Sequence, residues 1–216
     1  MRTIAIGDIH GCSQALTALL DAIQPRPNDV IVTLGDYVDR GPDSRGVLEQ
    51  LIQLGDRCRH KPLLGNHELM MLEALQEDES LDFWLECGGR QTLASYGGSP
   101  AAIPASHLDF LRGCRRFHQS PTHIFLHANY FSDVELADQP DLMLFWEHLS
   151  FLVPAPHASG KRVIVGHTPQ ASGEILDLDH VVCIDTYCVG GGWLTALEAE
   201  TGRIWQADRE GALRQR

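Results

Sequence analysis

Gly35-Asp36-Tyr37-Val38-Asp39-Arg40-Gly41 follows directly on the apolar run Val30-Ile31-Val32-Thr33-Leu34. A short apolar run closed by glycine and a carboxylate reads as a strand ending in a sharp turn. Glycine at such a corner lets the backbone bend tightly and leaves room for an ion to approach. The same arrangement stands on either side. Upstream, Thr3-Ile4-Ala5-Ile6 leads into Gly7-Asp8-Ile9-His10-Gly11; downstream, a short strand at 61–64 leads into Gly65-Asn66-His67-Glu68. Two later runs end in histidine: Ile124-Phe125-Leu126 before His127, and Val163-Ile164-Val165-Gly166 before His167.

Helical patterns fill the gaps between the first three strands. Leu16, Leu19, Leu20 and Ile23 recur at helical spacing, with Ser13 the expected N-cap and Pro25 and Pro27 beyond the end. Val47, Leu48, Leu51 and Leu54 mark a second helix, capped by Asp43 or Ser44, and a Leu/Met-rich third begins near His67. This βαβαβα order predicts neighbouring strands joined by right-handed crossovers, with the site outside their carboxyl ends. Residues 80–114 read as a helical insertion, with helices at 81–85, 90–96 and 106–111. From Phe117 onward strands dominate, with candidates at 122–126, 162–165, 174–176, 181–184 and 194–197. Two packed sheets with helices outside, in one α/β domain over 1–216, accommodate this order. Gly190-Gly191-Gly192 lacks the G-x-G-x-x-G spacing and a following helix pattern, so it reads as a hairpin turn.

With 216 residues, 44% hydrophobic and 21% charged, the chain is ordinary for one globular domain with a full core. No run approaches the roughly 20 apolar residues of a membrane span, and with Met1-Arg2 leading straight into the first strand no signal peptide is expected. A soluble, cytoplasmic protein is expected, with its six cysteines as reduced thiols because no C-x-x-C pair is present. The net charge of −12 argues against nucleic acid as a partner. It reads either as simple solubility or as negative charge gathered where cations bind.

Taken singly, each strand-end residue has an ordinary explanation. Asp8 and Asp36 suit turns or helix caps, Asn66 suits a cap, and a lone histidine is usually structural. Five strand ends carrying Asp, Asp, Asn, His and His are a different matter, because that set suits metal ions.

The three motifs resemble the GDxHG, GDxVDRG and GNHE signatures of the phosphoprotein phosphatase family of dinuclear metallophosphoesterases. That family includes the bacterial and bacteriophage lambda-type serine/threonine phosphatases. The match runs without substitution through the motifs and extends to Ile184-Asp185-Thr186. The resemblance implies the metallophosphoesterase fold, two mixed sheets flanked by helices in an αββα sandwich. It implies a first metal on Asp8 and His10, Asp36 bridging both, and Asn66, His127 and His167 on the second. The donors suit two divalent ions, Mn²⁺ first, with Fe or Zn²⁺ as alternatives. The implied reaction is in-line attack on a phosphomonoester by a metal-bridging hydroxide. His67 would be the general acid, Asp39 would orient it and raise its pKa, and Arg40 and Asn66 would bind phosphate. For Arg40 the plainer reading is an ion pair with Asp39 or Asp43. For Glu68 the plainer reading is preferred, as a helix-starting or supporting residue.

Three places depart from the family pattern. His127-Ala128-Asn129-Tyr130 lacks the usual glycine, and Tyr187-Cys188-Val189 stands where glycine usually follows Asp-Thr. Phe145-Trp146-Glu147-His148-Leu149 lacks the arginine that commonly clamps phosphate after the tryptophan, and His148 is the candidate substitute. The expected substrate is phosphoserine or phosphothreonine in proteins, with phosphotyrosine and phosphorylated small molecules as further candidates. The runner-up is symmetrical diadenosine tetraphosphate hydrolysis, whose enzymes tend to replace the Asp39-Arg40 pair kept here. A non-catalytic scaffold is disfavoured by the complete set of ligands, and a nuclease by the acidity.

Overall fold

The computed structural model describes residues 1–215; residue 216 and the side chain of residue 78 lie outside the described residues. The first three strands form where the apolar runs predict. They are β1 (Thr3–Ile6), β2 (Val30–Thr33) and β3 (Arg59–Pro62), paired parallel with Ile6 beside Thr33 and Thr33 beside Pro62. Between them run α1 (Ser13–Ile23) and α2 (Ser44–Arg57). Then come α3 (Asn66–Ala74), α4 (Asp78–Trp84), a π-helical turn at Leu85–Gly89, α5 (Arg90–Ser95) and α6 (Ala105–Arg112).

The second half contributes β4 (His118–Gln119), β5 (His123–Phe125), α7 (Asp141–Phe145), β6 (Arg162–Val165), β7 (Leu176–Asp177) and β8 (Val181–Cys183). It closes with β9 (Leu194–Glu198) and β10 (Ile204–Ala207). One mixed sheet has the order β10-β9-β1-β2-β3, the other β4-β5-β6-β8-β7.

Side chains alternate across each strand, and the alternation builds the layers. Ala5, Val32, Phe125, Ile164 and Val182 form an apolar layer between the sheets. The opposite faces of β1 and β2, with Ile4, Ile6 and Ile31, pack on Leu16, Leu48 and Leu51 of α1 and α2. Val163 and Val165 face Leu144 and Phe145 of α7 on the far side. The result is an αββα sandwich.

Several boundaries differ from the sequence expectation. Ser13 is the first residue of α1 rather than its cap; Cys12 holds the cap position without a side-chain hydrogen bond, and the Leu16 N–H donates to its carbonyl. Asp43 does cap α2, accepting from the Gly46 N–H at 2.9 Å. The third strand lies two residues earlier than 61–64: the Leu63 N–H still donates to the Thr33 carbonyl of β2, but Leu63 bridges to Arg115 and the Leu64 N–H donates to the Arg115 carbonyl. The strand expected at 174–176 begins only at Leu176. The triple glycine is a turn, a 3-10 segment at Cys188–Gly190 closed by an antiparallel bridge from Thr186 to Trp193. Among the described residues no helix is long and apolar enough to cross a membrane.

Candidate active site

Five parallel strands end on one edge of the sandwich, and the chain turns there through Gly7-Asp8, Gly35-Asp36, Gly65-Asn66, His127 and Gly166-His167. The first two turns are zipped together. Ile9 and His10 both donate their N–H to the Asp36 carbonyl, and Gly11 donates to Tyr37. Close approach demands glycine at two corners. A Cβ on Gly65 would lie 2.2 Å from Asp36 Oδ1, and one on Gly41 would lie 1.8 Å from the His10 carbonyl oxygen.

Glu68 organises this edge. Its fully buried carboxylate accepts N–H bonds from Gly65, Asp36, Tyr37 and Val38 at 2.9, 2.8, 2.7 and 3.3 Å. Burial and the Asp36 charge push its pKa up to about 7, while these amides pull toward the charged form. The sequence assigned Glu68 only a supporting place at the helix start; the structure shows it tying the second and third motifs together.

Asp36 sits at the centre. Its Oδ2 is 3.4 Å from His10 Nε2 and its Oδ1 is 3.5 Å from His127 Nε2. It belongs to two groups of converging donor atoms, one with His10 and His67, the other with His127 and His167. His127 Nε2 lies 3.1 Å from both Asn66 Oδ1 and His167 Nδ1.

The tautomers are set from outside this cluster. His10 Nδ1 meets the Val38 carbonyl at 2.9 Å, His127 Nδ1 the Leu34 carbonyl at 2.8 Å, and His167 Nε2 the Trp146 carbonyl at 3.0 Å. A carbonyl accepts only from N–H, so each remaining ring nitrogen turns a lone pair inward. Burial keeps these rings neutral, with His10 and His167 driven down to about 3. Lone pairs crowding one another at 3.1 Å, beside a buried carboxylate, need a cation between them. The Arg40 guanidinium, 3.1 Å from His10 Nε2, stands in for one. The residues present therefore fit a pair of divalent ions.

Asp8 is placed differently. Its carboxylate accepts the His167 N–H at 3.0 Å, and in this geometry it is not within the His10–Asp36–His67 group. Burial, Asp185 and Asp36 raise its pKa well above the usual range. Asp185, given no role from sequence, lies buried next to it and is itself raised to about 7, chiefly by burial.

His67 Nδ1 lies 2.8 Å from Asp39 Oδ2. The same carboxylate accepts from Trp84 Nε1 at 3.0 Å and Thr92 Oγ1 at 2.7 Å. Burial lowers the His67 pKa, but the Asp36 charge and the Asp39 hydrogen bond outweigh it and leave it raised. Trp84 and Thr92 come from α4 and α5, so the segment read as an insertion is a wall of the site. No motif announced them; a tryptophan inside a short helix was the one available signal. A cavity of about 290 Å³ opens over Asp36, Arg40, Asn66 and His67. Trp146, His148 and His167 line its other side, with the His148 ring 4.3 Å from that of His167.

A cluster of neutral imidazoles around one shared carboxylate, beside an arginine and a carboxylate-held histidine, defines a metal-dependent phosphoesterase centre. The chain belongs to the calcineurin-like phosphoesterase family, whose model it matches over residues 1–193. It is 33% identical to serine/threonine-protein phosphatase 1 of Salmonella typhimurium over 199 residues, 88% of each chain. It is also 49% identical to a symmetrical bis(5'-nucleosyl)-tetraphosphatase of Acidovorax, but over 75 residues, 34% of this chain and 26% of that one. A solved structure provisionally assigned as a diadenosine tetraphosphatase superposes with a TM-score of 0.72 at 25% identity. That match covers 95% of this chain and 92% of the other.

Proposed function

We propose that the chain is a phosphomonoesterase acting on phosphoserine and phosphothreonine in proteins, with phosphotyrosine and phosphorylated small molecules as further substrates. The observation that carries this reading is the Asp39–His67 pair at 2.8 Å, with Arg40 beside it at the cavity. In this reading Asp8, His10 and Asp36 would hold one divalent ion, and Asp36, Asn66, His127 and His167 the other. Mn²⁺ is our choice for both, given the oxygen and imidazole donors. When bound, the ions lower the pKa of a water and neutralise phosphate charge.

The protein's own groups do the rest. Arg40 and Asn66 orient the phosphate, and the planar fork of Arg40 suits paired oxygens. His148 supplies a further donor across the cavity. Asp39 fixes Nδ1 of His67, leaving Nε2, 4.0 Å from Asp36 Oδ2, to deliver a proton to the departing alkoxide. Buried Trp84 and Thr92 hold Asp39 in turn and keep water from it.

The test compares turnover of a phosphoserine peptide, p-nitrophenyl phosphate and diadenosine tetraphosphate with Mn²⁺, for wild type and His67→Asn. We expect the monoesters to be hydrolysed, chelation to abolish turnover, and His67→Asn to impair the peptide most. Turnover indifferent to chelation would overturn the metal reading. Preference for the dinucleotide would favour the second reading, symmetrical tetraphosphate hydrolysis, which the 75-residue similarity supports.

A further inference from the structure

Trp146 lines two cavities. One is the catalytic cavity; the other, about 350 Å³, is enclosed by Met70, Glu73, Glu79, Ser80, Phe83 and Trp146. Met70 is buried beneath it, while Phe83 and Trp146 are 58% and 38% exposed at its walls. Glu73 and Glu79 are exposed and take part in no ion pair or side-chain hydrogen bond among the described residues. The second cavity is thus apolar inside and acidic at its rim, and Trp146 is the wall it shares with the catalytic cavity.

We propose that this cavity is a substrate subsite for a lysine or arginine side chain near the phosphorylated residue, an assignment that rests on the phosphoprotein reading above. A long basic side chain has the matching design, an aliphatic stem for Met70 and the aromatic walls and a cationic tip for the carboxylates. Phe83 and Trp146 also offer aromatic faces to a cation. An anionic group is repelled, so a polyphosphate chain does not run this way. Distance fixes the position. Glu73 lies six residues beyond His67 on α3, roughly 9 Å at about 1.5 Å rise per residue. An extended peptide covers that in two or three residues at about 3.3–3.6 Å each.

The experiment measures kcat/KM of the Mn²⁺-loaded enzyme on phosphoserine peptides carrying Lys, Ala or Glu two or three positions from the phosphoserine, on either side. Lys should exceed Glu on the order of tenfold at one of these positions, as expected for two exposed carboxylates and an aromatic face. In the Glu73→Gln/Glu79→Gln double variant the ratio should fall to about twofold or less, with p-nitrophenyl phosphate turnover unchanged. Glu73→Lys/Glu79→Lys should invert the preference. Peptides hydrolysed without regard to charge, or a preference that survives the double Gln variant, would overturn the subsite alone. Turnover of p-nitrophenyl phosphate or diadenosine tetraphosphate with no peptide hydrolysed would overturn the phosphoprotein reading and the subsite with it.

Discussion

Replacing Asp39 by Asn keeps the shape of the side chain and removes its charge. The carboxylate takes three donors, from His67 at 2.8 Å, Trp84 at 3.0 Å and Thr92 at 2.7 Å. An amide has one acceptor oxygen and two donor hydrogens, so at least one of these partners must face an NH₂ group. A hydrogen bond to a charged group contributes about 1.5–3 kcal/mol. At about 1.4 kcal/mol per factor of ten, that predicts a loss of roughly 10- to 150-fold in kcat.

The loss should depend on the leaving group. A serine alkoxide needs the proton His67 delivers, whereas p-nitrophenolate leaves readily without it, so the latter should lose only about twofold to fivefold. The pH profile should move as well. His67 is raised in part by its bond to Asp39. Without that charge its pKa falls, its protonated form disappears at lower pH, and the alkaline limb of kcat shifts to lower pH. The assay is kcat on both substrates between about pH 6 and 9, across the range where a raised histidine titrates. Equal losses on the two substrates with an unmoved alkaline limb would refute the reasoning and leave Asp39 a purely structural residue.

Glu68→Gln should destabilise the fold by about 2–4 kcal/mol, because an amide cannot accept from four N–H groups; urea unfolding measures it, and a change within about 0.5 kcal/mol would refute the role given to Glu68. Mn²⁺ at about a hundredfold excess over Kd should raise Tm of the wild type by roughly 5–10 °C. Asp36→Asn should abolish that shift, and an undiminished shift would remove Asp36 from the bridging position. Burial opposes ionisation of Asp29, yet Arg2 and the Arg26 N–H hold its pKa down to about 2. Its contribution is present above the ordinary carboxylate pKa and lost as pH falls, so the stability gap to Asp29→Asn should close between about pH 4 and 2. Unfolding curves showing a constant gap over that interval would contradict it.

Much of this architecture is legible in the chain because strand ends are marked twice, by an apolar run and by the glycine that follows. Asp8, Asp36, Asn66 and His167 could be found that way and His127 by its apolar run alone, and the structure brings all five to one edge. What escaped notice depends on contacts across the sequence. Trp84 and Thr92 reach Asp39 over 45 and 53 residues, and no local pattern encodes such a pairing. The strand β10 was missed for a different reason. Its hairpin signal was present in Thr201-Gly202, with Gly202 at φ 72°, but Ile204-Trp205-Gln206-Ala207 offers too short an alternation to stand out. The end of β3 shifts because its partner changes there: Leu63 still donates to Thr33 of β2, while Leu64 turns its N–H to the Arg115 carbonyl.

The donors of the site come from both sheets. His10, Asp36 and Asn66 follow strands of the first, His127 and His167 strands of the second. Their spacing is therefore set by the apolar layer of Ala5, Val32, Phe125 and Ile164 that joins the sheets. The backbone at the site is held in an uncommon state. His10, Asp36, Asp39, Arg40 and His167 all have positive φ, between 43° and 71°. Non-glycine residues in that region cost on the order of 1–3 kcal/mol each, less for aspartate. The strain concentrates where donor atoms converge and is sustained by the layer beneath and by Glu68. Ions bridging the two sheets would act as cross-links between them, so binding them would stabilise the fold, and weakening the inter-sheet layer would weaken both.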